Sequence, residues 1–576
     1  EYKPELEGVL PKDEYAALTR TDKTIPQQLL RTFADIPANA TGDLFGQIYE
    51  YFLSEFARSE GQKGGEFFAP RSVGRLMVEI IEPHGGKVFD PACGSGGMFV
   101  QSAQFIEVHR NELKGADSGV YVCGQEKTQD TVKLAKMNLA VNGLRGEIKQ
   151  ANTYYEDPYD SFGAFDYVLA NPPFNVDDVS LSSVEKDRRF NTNGIPRNKS
   201  KVKKADEGKE TVPNGNYLWI SLFATSLKSQ GRAALVMANS ASDARHSEAD
   251  IRKTLIEQNL IYAMLTLPSN MFYTVTLPAT LWFFDKAKSD DRILFIDARN
   301  IFTQIDRAHR EFSEEHIQNI AVISHLHKGQ RDKFIRLIDH YFAAGMERLI
   351  ENNEKIEPVC AQLLDVLDDA NGKHAVDELL QHWRELEKLQ THYAQYRKEY
   401  VIAAEIDKKN QTQRQLRSAF DPFFAALHEG LKRLDKTVRQ HEKQQTEQAQ
   451  QEGKRTATDR KTKALRSALE ELHQDVKNAE IYFQHIHWLQ ERFPNAQYED
   501  VTGLCKLATP EEIKEQDYSL NAGRYVGVVI EEDGKTEEEF IAELLVMNDE
   551  LTSLNDEARK LETIIFNNIE QITGDA

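Results

Sequence analysis

From Lys87 to Asp285 short apolar runs alternate with amphipathic stretches. Val88–Asp90, Val120–Gly124, Gly146–Gln150, Phe165–Ala170, Arg232–Met237, Ile261–Leu267 and Thr280–Asp285 have the length and residue content of buried strands. Ser72–Ile81, Met98–Leu113, Thr128–Asn142, Asn216–Lys228 and Ile251–Glu257 carry their apolar residues at helical spacing. Alternation of this kind predicts an α/β fold, a doubly wound, Rossmann-like parallel sheet, over residues 63–312. Before it, Ile25–Phe33 and Leu44–Ala57, the latter with Phe45, Ile48, Tyr49, Phe52 and Phe56 in register, predict a helical segment over 1–62.

The second half of the chain has a different period. Leu389, Tyr393, Tyr396 and Tyr400 step by four, three and four, and Leu465, Leu469, Leu472, Val476, Ala479 and Phe483 do likewise. Between them, Gln440 to Lys463 holds no large apolar residue, so an antiparallel helical hairpin with a solvated tip near Gly453 is expected within a helical extension over 313–500. In the last segment, 501–576, a seam runs through Phe540, Leu544, Met547, Leu551, Leu554, Ala558, Leu561, Ile565, Asn568 and Ile572. One unbroken strip with a single polar position needs a partner helix, either on another chain or elsewhere on this one.

Composition sets limits on the chemistry. The chain has 576 residues, 40% of them hydrophobic, and a formal charge of -21, so it grips nucleic acid phosphates poorly unless a partner supplies cations. Four isolated cysteines and scattered histidines (His374, His382, His441, His473) give no disulfide framework and no metal ligand set. No apolar run is long enough to span a membrane and no signal peptide is evident, which predicts a cytoplasmic protein with no membrane partner. The first residue is Glu1 rather than Met, so residues upstream are expected.

The chemistry concentrates where strand Phe165–Ala170 runs into Asn171-Pro172-Pro173-Phe174. Two prolines end the ladder and fix the backbone, holding the Asn171 side chain and the Pro172 carbonyl in one arrangement. An exocyclic amino group on a planar ring is a poor nucleophile because its lone pair is delocalised. Acceptors that take both its hydrogens push that nitrogen toward sp3 character; Asn171 and the Pro172 carbonyl are candidates, with Phe174 to stack on the ring. The same residues also suit an ordinary Asn-Pro turn.

Upstream, Lys87–Val100 reads as strand, glycine-rich turn and helix start, with Asp90 at the strand end and Gly94, Ser95, Gly96 and Gly97 in the turn. Glycines there let a cofactor approach the backbone at a helix N-terminus. The order G-x-G-G, with an acid at the strand end, favours S-adenosyl-L-methionine (AdoMet) over a dinucleotide. Val120–Glu126 is a second strand ending in an acid, placed as a ribose-binding carboxylate would be. Asn175–Asn214 is long, polar and locally basic (Arg188, Arg189, Arg197, Lys199, Lys201, Lys203, Lys204), either a phosphate-facing segment or a solvated loop.

These motifs stand in the order of a known family. Gly65-Glu66-Phe67-Phe68-Ala69-Pro70-Arg71 resembles the G-Q-F-F-T-P-R segment of gamma-type adenine-N6 DNA methyltransferases. With D-P-A-C-G-S-G-G, G-Q-E and N-P-P-F following, the chain resembles the modification (M) subunit of a type I restriction-modification enzyme. Asp517-Tyr518-Ser519-Leu520-Asn521 through Arg524-Tyr525 is similar to that family's D-Y-S-L-N-P-x-R-Y segment.

The resemblance implies an AdoMet-dependent enzyme that methylates N6 of an adenine flipped out of double-stranded DNA. It implies a specificity (S) subunit docked on the C-terminal coiled-coil helix and a second M subunit, and leaves open whether a restriction (R) subunit joins. It assigns Glu66, Phe67, Phe68, Ala69, Pro70, Arg71, Asp90, Gly94, Ser95, Gly96, Gly97, Glu126, Asn152 and Thr153 to the cofactor. Asn171, Pro172, Pro173 and Phe174 fall to catalysis, and Phe174, Phe272 and Tyr273 to the target-base pocket, although Phe272 and Tyr273 equally suit the core. Glu66 and Ala69 replace the family's Gln and Thr. A methyltransferase acting on a protein glutamine or RNA base, and a non-catalytic AdoMet-binding scaffold, are the alternatives.

Overall fold

The structure is a computed structural model that describes residues 8–9, 14–34, 70–109, 119–198, 210–272, 278–307, 309–367, 369–451 and 460–529, with short pieces between 548 and 562. Residues 1–526 form one compact unit and 527–576 a second. The expected helix Leu44–Ala57 and most of the C-terminal seam lie outside the described residues; Leu551, Leu554 and Leu561 are described, and each is more than half exposed.

The short helices α1 (Glu14–Thr21) and α2 (Ile25–Ala34) come first, and α3 (Arg71–Ile81) leads into the sheet. Then alternate β1 (Gly86–Asp90), α4 (Gly97–Val108), β2 (Val120–Glu126), α5 (Gln129–Val141), β3 (Arg145–Gln150) and β4 (Phe165–Ala170). Two single-turn helices come next, α6 (Leu181–Val184) and α7 (Arg188–Asn191), then α8 (Asn216–Ser226), β5 (Leu227–Ala238) and α9 (Ser247–Glu257). The sheet continues through β6 (Ile261–Thr266), β7 (Ala279–Asp285) and β8 (Ile293–Asp297), with a small ribbon of β9 (Thr303–Gln304) and β10 (Arg310–Glu311). Helices α10 (Glu314–His327), α11 (Arg331–Val366), α12 (Ala370–Ile402), α13 (Ile406–Gln451) and α14 (Arg460–Arg492) precede β11 (Cys505–Ala508) and α15 (Pro510–Glu515).

The nine strands lie in the order β3-β2-β1-β4-β5-β7-β6-β8-β11. From β3 to β5 all neighbours are parallel; β7 runs antiparallel between β5 and β6, and β11 antiparallel to β8. Strict alternation feeds two cores: Tyr167, Leu169, Ala234 and Val236 face the layer of α3, α4, α5 and α10, while Val168, Ala170, Leu235 and Met237 face α8 and α9. Being covered on both sides explains why β6, β7 and β8 read as continuous apolar runs. Helix α8 is buried all round, in keeping with its largely apolar sequence.

The doubly wound sheet is as expected, with three differences at its edges. The sheet continues past the last expected strand, Thr280–Asp285, into β8 at Ile293–Asp297. Cys505–Val526 belongs with the sheet domain rather than with the C-terminal segment, since β11 pairs with β8 from Ala508 opposite Ile293 to Cys505 opposite Ile296. The helical extension holds more than the expected hairpin. Helices α11 to α14 form an up-and-down four-helix bundle in which α13 and α14 make the hairpin about a tip in 452–459, outside the described residues. Tyr396 of α12 donates to Asp339 of α11 (2.8 Å), Phe483 of α14 stacks on Phe420 of α13 (4.3 Å), and a Cβ at Gly345 of α11 would come within 2.5 Å of the Phe483 ring.

Candidate functional site

Strand order reverses at β1 and β4: the chain winds outward from β1 to β3, then returns to the other side of β1. A crevice therefore opens at the C-terminal ends of these two strands. Phe89 pairs with Val168, so Asp90 and Asn171 end neighbouring strands at that crevice.

On the β1 side, Asp90 is 2% exposed, and its Oδ1 accepts from the Ala92 amide at 3.0 Å. Burial pushes its carboxyl well above the usual range and the nearby Glu126 charge pushes it further, against the pull of that amide. Among the described residues no Lys or Arg stands within ion-pair distance of Asp90. Glu126, ending β2, is stitched to the glycine turn: Oε2 accepts from Gly94 N (3.2 Å) and Oε1 from Thr128 N (2.9 Å). Gly94 (φ 51°) and Gly96 (φ 84°) are left-handed, a conformation that favours glycine, and Gly96 caps α4. Among the described residues a Cβ at Gly94 or Gly97 would meet nothing within 4 Å, so the turn presents bare backbone. Asn138 of α5 braces the turn by donating to the Ser95 carbonyl (2.9 Å).

Asn152 and Thr153 serve their own chain here. Asn152 Oδ1 accepts from Tyr154 N (3.2 Å), a local turn, and Thr153 Oγ1 donates to the Pro91 carbonyl (2.5 Å), tying the end of β3 to the turn after Asp90. Pro70 is the N-cap of α3, and Arg71, its first residue, reaches Gln104 at 3.2 Å. Glu66, Phe67, Phe68 and Ala69 lie outside the described residues, as does Tyr273. Phe272 is 4% exposed and packed in the core, the second of its two readings.

On the β4 side, Pro172 is buried, Asn171 and Pro173 are half-buried, and the half-buried Phe174 packs against both cores. Sequence reasoning missed the support beyond Phe174. Asn175 is left-handed (φ 56°); its N–H donates to Asn216 Oδ1 (2.8 Å), while Asn216 Nδ2 donates back to Asn175 Oδ1 (2.9 Å). Asn214 Oδ1 in turn accepts from Asn216 N (3.0 Å), and Gly215 N donates to the Val176 carbonyl (2.6 Å). Gly215 has no room for a side chain, because a Cβ there would sit 2.6 Å from the Tyr154 hydroxyl. The available signal was Pro213-Asn214-Gly215-Asn216, a dense turn cluster directly before an all-apolar helix.

The described part of the basic stretch is ordered. Arg188 pairs with Asp160 (3.0 Å), Arg197 with Glu185 (3.2 Å), and buried Arg189 with Asp187 (2.7 Å) while donating to the Thr153 and Glu156 carbonyls. These three guanidiniums are engaged by carboxylates of this chain; Lys199, Lys201, Lys203 and Lys204 lie outside the described residues. The D-Y-S-L-N segment also finds its place. Ser519 donates to Asp243, Asn521 Nδ2 reaches the same carboxylate at 3.2 Å and Arg524 at 3.5 Å, and Tyr525 stacks on Phe295 (4.0 Å). Asp243 lies in the turn after β5, so this segment braces the C-terminal end of that strand.

Comparison with known proteins gives the family. The chain is 37% identical over 331 residues to the type I restriction enzyme MjaIX methylase subunit of Methanocaldococcus jannaschii, covering 56% of each chain. It is 35% identical over 286 residues to the HindI methylase subunit of Haemophilus influenzae, covering 49% of this chain and 60% of that one. It thus spans less than two thirds of the length of the curated relatives it matches. A crystal structure of a type I restriction-modification methyltransferase subunit from Streptococcus thermophilus is 26% identical with a TM-score of 0.44, over 51% of this chain and 60% of that one. The N-6 DNA Methylase family matches residues 40–358 and 451–534, which passes over most of α12 and α13. That match takes in more than half of the chain, and the protein belongs to the N-6 DNA Methylase family.

Proposed function

We propose that this chain transfers a methyl group from AdoMet to the exocyclic N6 of an adenine in double-stranded DNA. In this reading it is the M subunit of a type I restriction-modification assembly. The observation that carries the reading is the convergence of two motifs on one crevice: an acid-and-glycine cradle ending β1 and β2, and Asn171-Pro172-Pro173-Phe174 ending β4.

The cradle fits the cofactor on three counts. Gly94 and Gly97 present bare backbone. Asp90 and Glu126 lie within electrostatic reach of each other, and a cationic ligand relieves that repulsion. Helix α4 starts at the turn and presents its unsatisfied N–H groups there. AdoMet, when bound, supplies an electrophilic methyl group on a sulfonium. Asp90, Gly94 to Gly97 and Glu126 would hold it, with Thr153 fixing the Pro91 turn and Pro70 and Arg71 contributing from the start of α3.

Asn171 Oδ1 and the Pro172 carbonyl accept the two N6 hydrogens, drawing the nitrogen lone pair out of the ring for in-line attack. Phe174 stacks on the flipped base. The relatives are named as methylase subunits of restriction enzymes, and the charge of -21 calls for a partner that brings cations to the phosphates. The reading places an S subunit on the C-terminal helix, where Leu551, Leu554 and Leu561 are exposed, with a second M subunit completing the methylase.

The test is mass spectrometry of nucleosides from DNA incubated with AdoMet and this chain, alone and with a co-expressed S subunit. N6-methyladenine is expected only with the partner and is lost in Asn171→Ala. A stable complex that leaves no methylated adenine overturns the reading.

A further inference from the structure

The family's catalytic motif ends at Phe174, yet the geometry continues. Asn175 turns the chain in the left-handed region, which asparagine tolerates better than most residues. Its amide and its carboxamide then form a two-point, reciprocal clasp with Asn216, a carboxamide only 3% exposed on the first turn of an otherwise apolar helix. Asn214 fixes Asn216 from the other side, and Gly215 leaves the space that lets the turn lie against Tyr154. A buried carboxamide is retained only when its bonds are satisfied, and here the bonds go to the residue adjoining Phe174.

We propose that Asn216, acting through Asn175, is a positioning residue for methyl transfer: the clasp sets the exit of the catalytic loop and so the placement of Phe174 and the Pro172 carbonyl. The inference rests on the proposed methyl-transfer function of the crevice. The clasp includes none of the residues assigned above to the cofactor, so it governs kcat and base stacking rather than cofactor affinity. Displacement of a reacting group by about 1 Å is enough to lower a rate on the order of a hundredfold.

The experiment uses the complex with its S subunit and compares Asn216→Ala, Asn175→Ala and Asn175→Gly. It measures kcat, AdoMet binding by calorimetry, thermal midpoint, and fluorescence of 2-aminopurine placed at the target adenine. Asn216→Ala is expected to lower kcat about 10- to 100-fold and to weaken the 2-aminopurine signal, with AdoMet affinity within about twofold of the parent. Asn175→Ala, at an exposed position where alanine strains the left-handed turn but keeps the amide bond to Asn216, falls less. Asn175→Gly falls least, because glycine keeps the left-handed turn and the amide bond to Asn216. The inference is overturned if Asn216→Ala and Asn175→Ala keep kcat within about threefold, or if the loss only tracks the folded fraction or AdoMet affinity. Asn171→Ala is the internal reference. If the wild-type complex transfers nothing, the reading of the site falls and the clasp falls with it; if the wild type is active and Asn171→Ala is dead, only the clasp is at stake.

Discussion

Two carboxylates eight residues apart, Glu82 and Asp90, are each 2% exposed and have opposite surroundings. Glu82 ends α3, away from the crevice, and is encircled: Lys333, Lys328 (3.4 Å), His325 (3.7 Å) and Arg232 (3.9 Å) converge on it from α10, α11 and β5. Burial alone would raise its pKa, but Lys328, His325 and Lys333 hold it down at about 2. Asp90, at the opposite end of β1, has one backbone amide and the like charge of Glu126, and its pKa goes up. Depth of burial is the same, so the neighbours decide: one acid ties the bundle to the sheet, and the other has no cation beside it among the described residues.

The largest effect that would break this contrast is on stability. Glu82→Leu leaves the half-buried Lys328, Lys333 and Arg232 without their shared carboxylate and is expected to lower unfolding free energy by about 3 kcal/mol in a denaturant titration. A loss below about 1 kcal/mol would show that the network is not the fastening.

Next comes pH. His325, held neutral by burial with a pKa of about 3, takes up a proton on unfolding, so its share of stability is whole above about 6.5 and drains as pH falls toward 3. Glu82 adds to the same trend between its ordinary 4.5 and about 2. Asp90 opposes it, because a raised carboxyl pKa makes protonation favour the folded state. Stability should therefore fall below pH 6.5 by up to roughly 1.4 kcal/mol per pH unit for each proton taken up. A flat profile from pH 7 to 4 would contradict the assignment.

The smallest change in stability is expected at Asp90. Asp90→Asn removes a buried charge with a like-charged neighbour, so the unfolding midpoint should hold or rise, by about 1 kcal/mol or less. AdoMet binding, followed by calorimetry, should weaken at least about tenfold. Equal destabilisation by Asp90→Asn and Glu82→Leu would erase the distinction between the two ends of β1.

The crevice is legible in the sequence because its parts are local: an acid at a strand end, glycines before a helix and a double proline after an apolar run each carry their geometry with them. The missing parts are relational. The spacing of Leu389, Tyr393 and Tyr396 gives a buried face but not the helix that buries it, and Tyr396 answers to both Asp339 and Gln413. An aromatic residue does not announce which way its ring points, so Phe272 reads as pocket or core until its neighbours are known. Cys505–Ala508 has four residues and no periodicity, and becomes a strand only because β8 offers an edge. Asn175 and Asn216 lie 41 positions apart and form one device.

The pairing of β11 with β8 also has a consequence in time. About 200 residues separate the two strands, so at a synthesis rate of about 5–20 residues per second the β8 edge waits roughly 10 to 40 s for its neighbour. During that interval Ile293–Asp297 is an apolar strand with open hydrogen-bonding groups, the feature that draws nascent chains into aggregation. The four-helix bundle occupies the wait. Its antiparallel neighbours form from local contacts, and its ends return to the same place, delivering Cys505 to an edge it would otherwise have to find by diffusion.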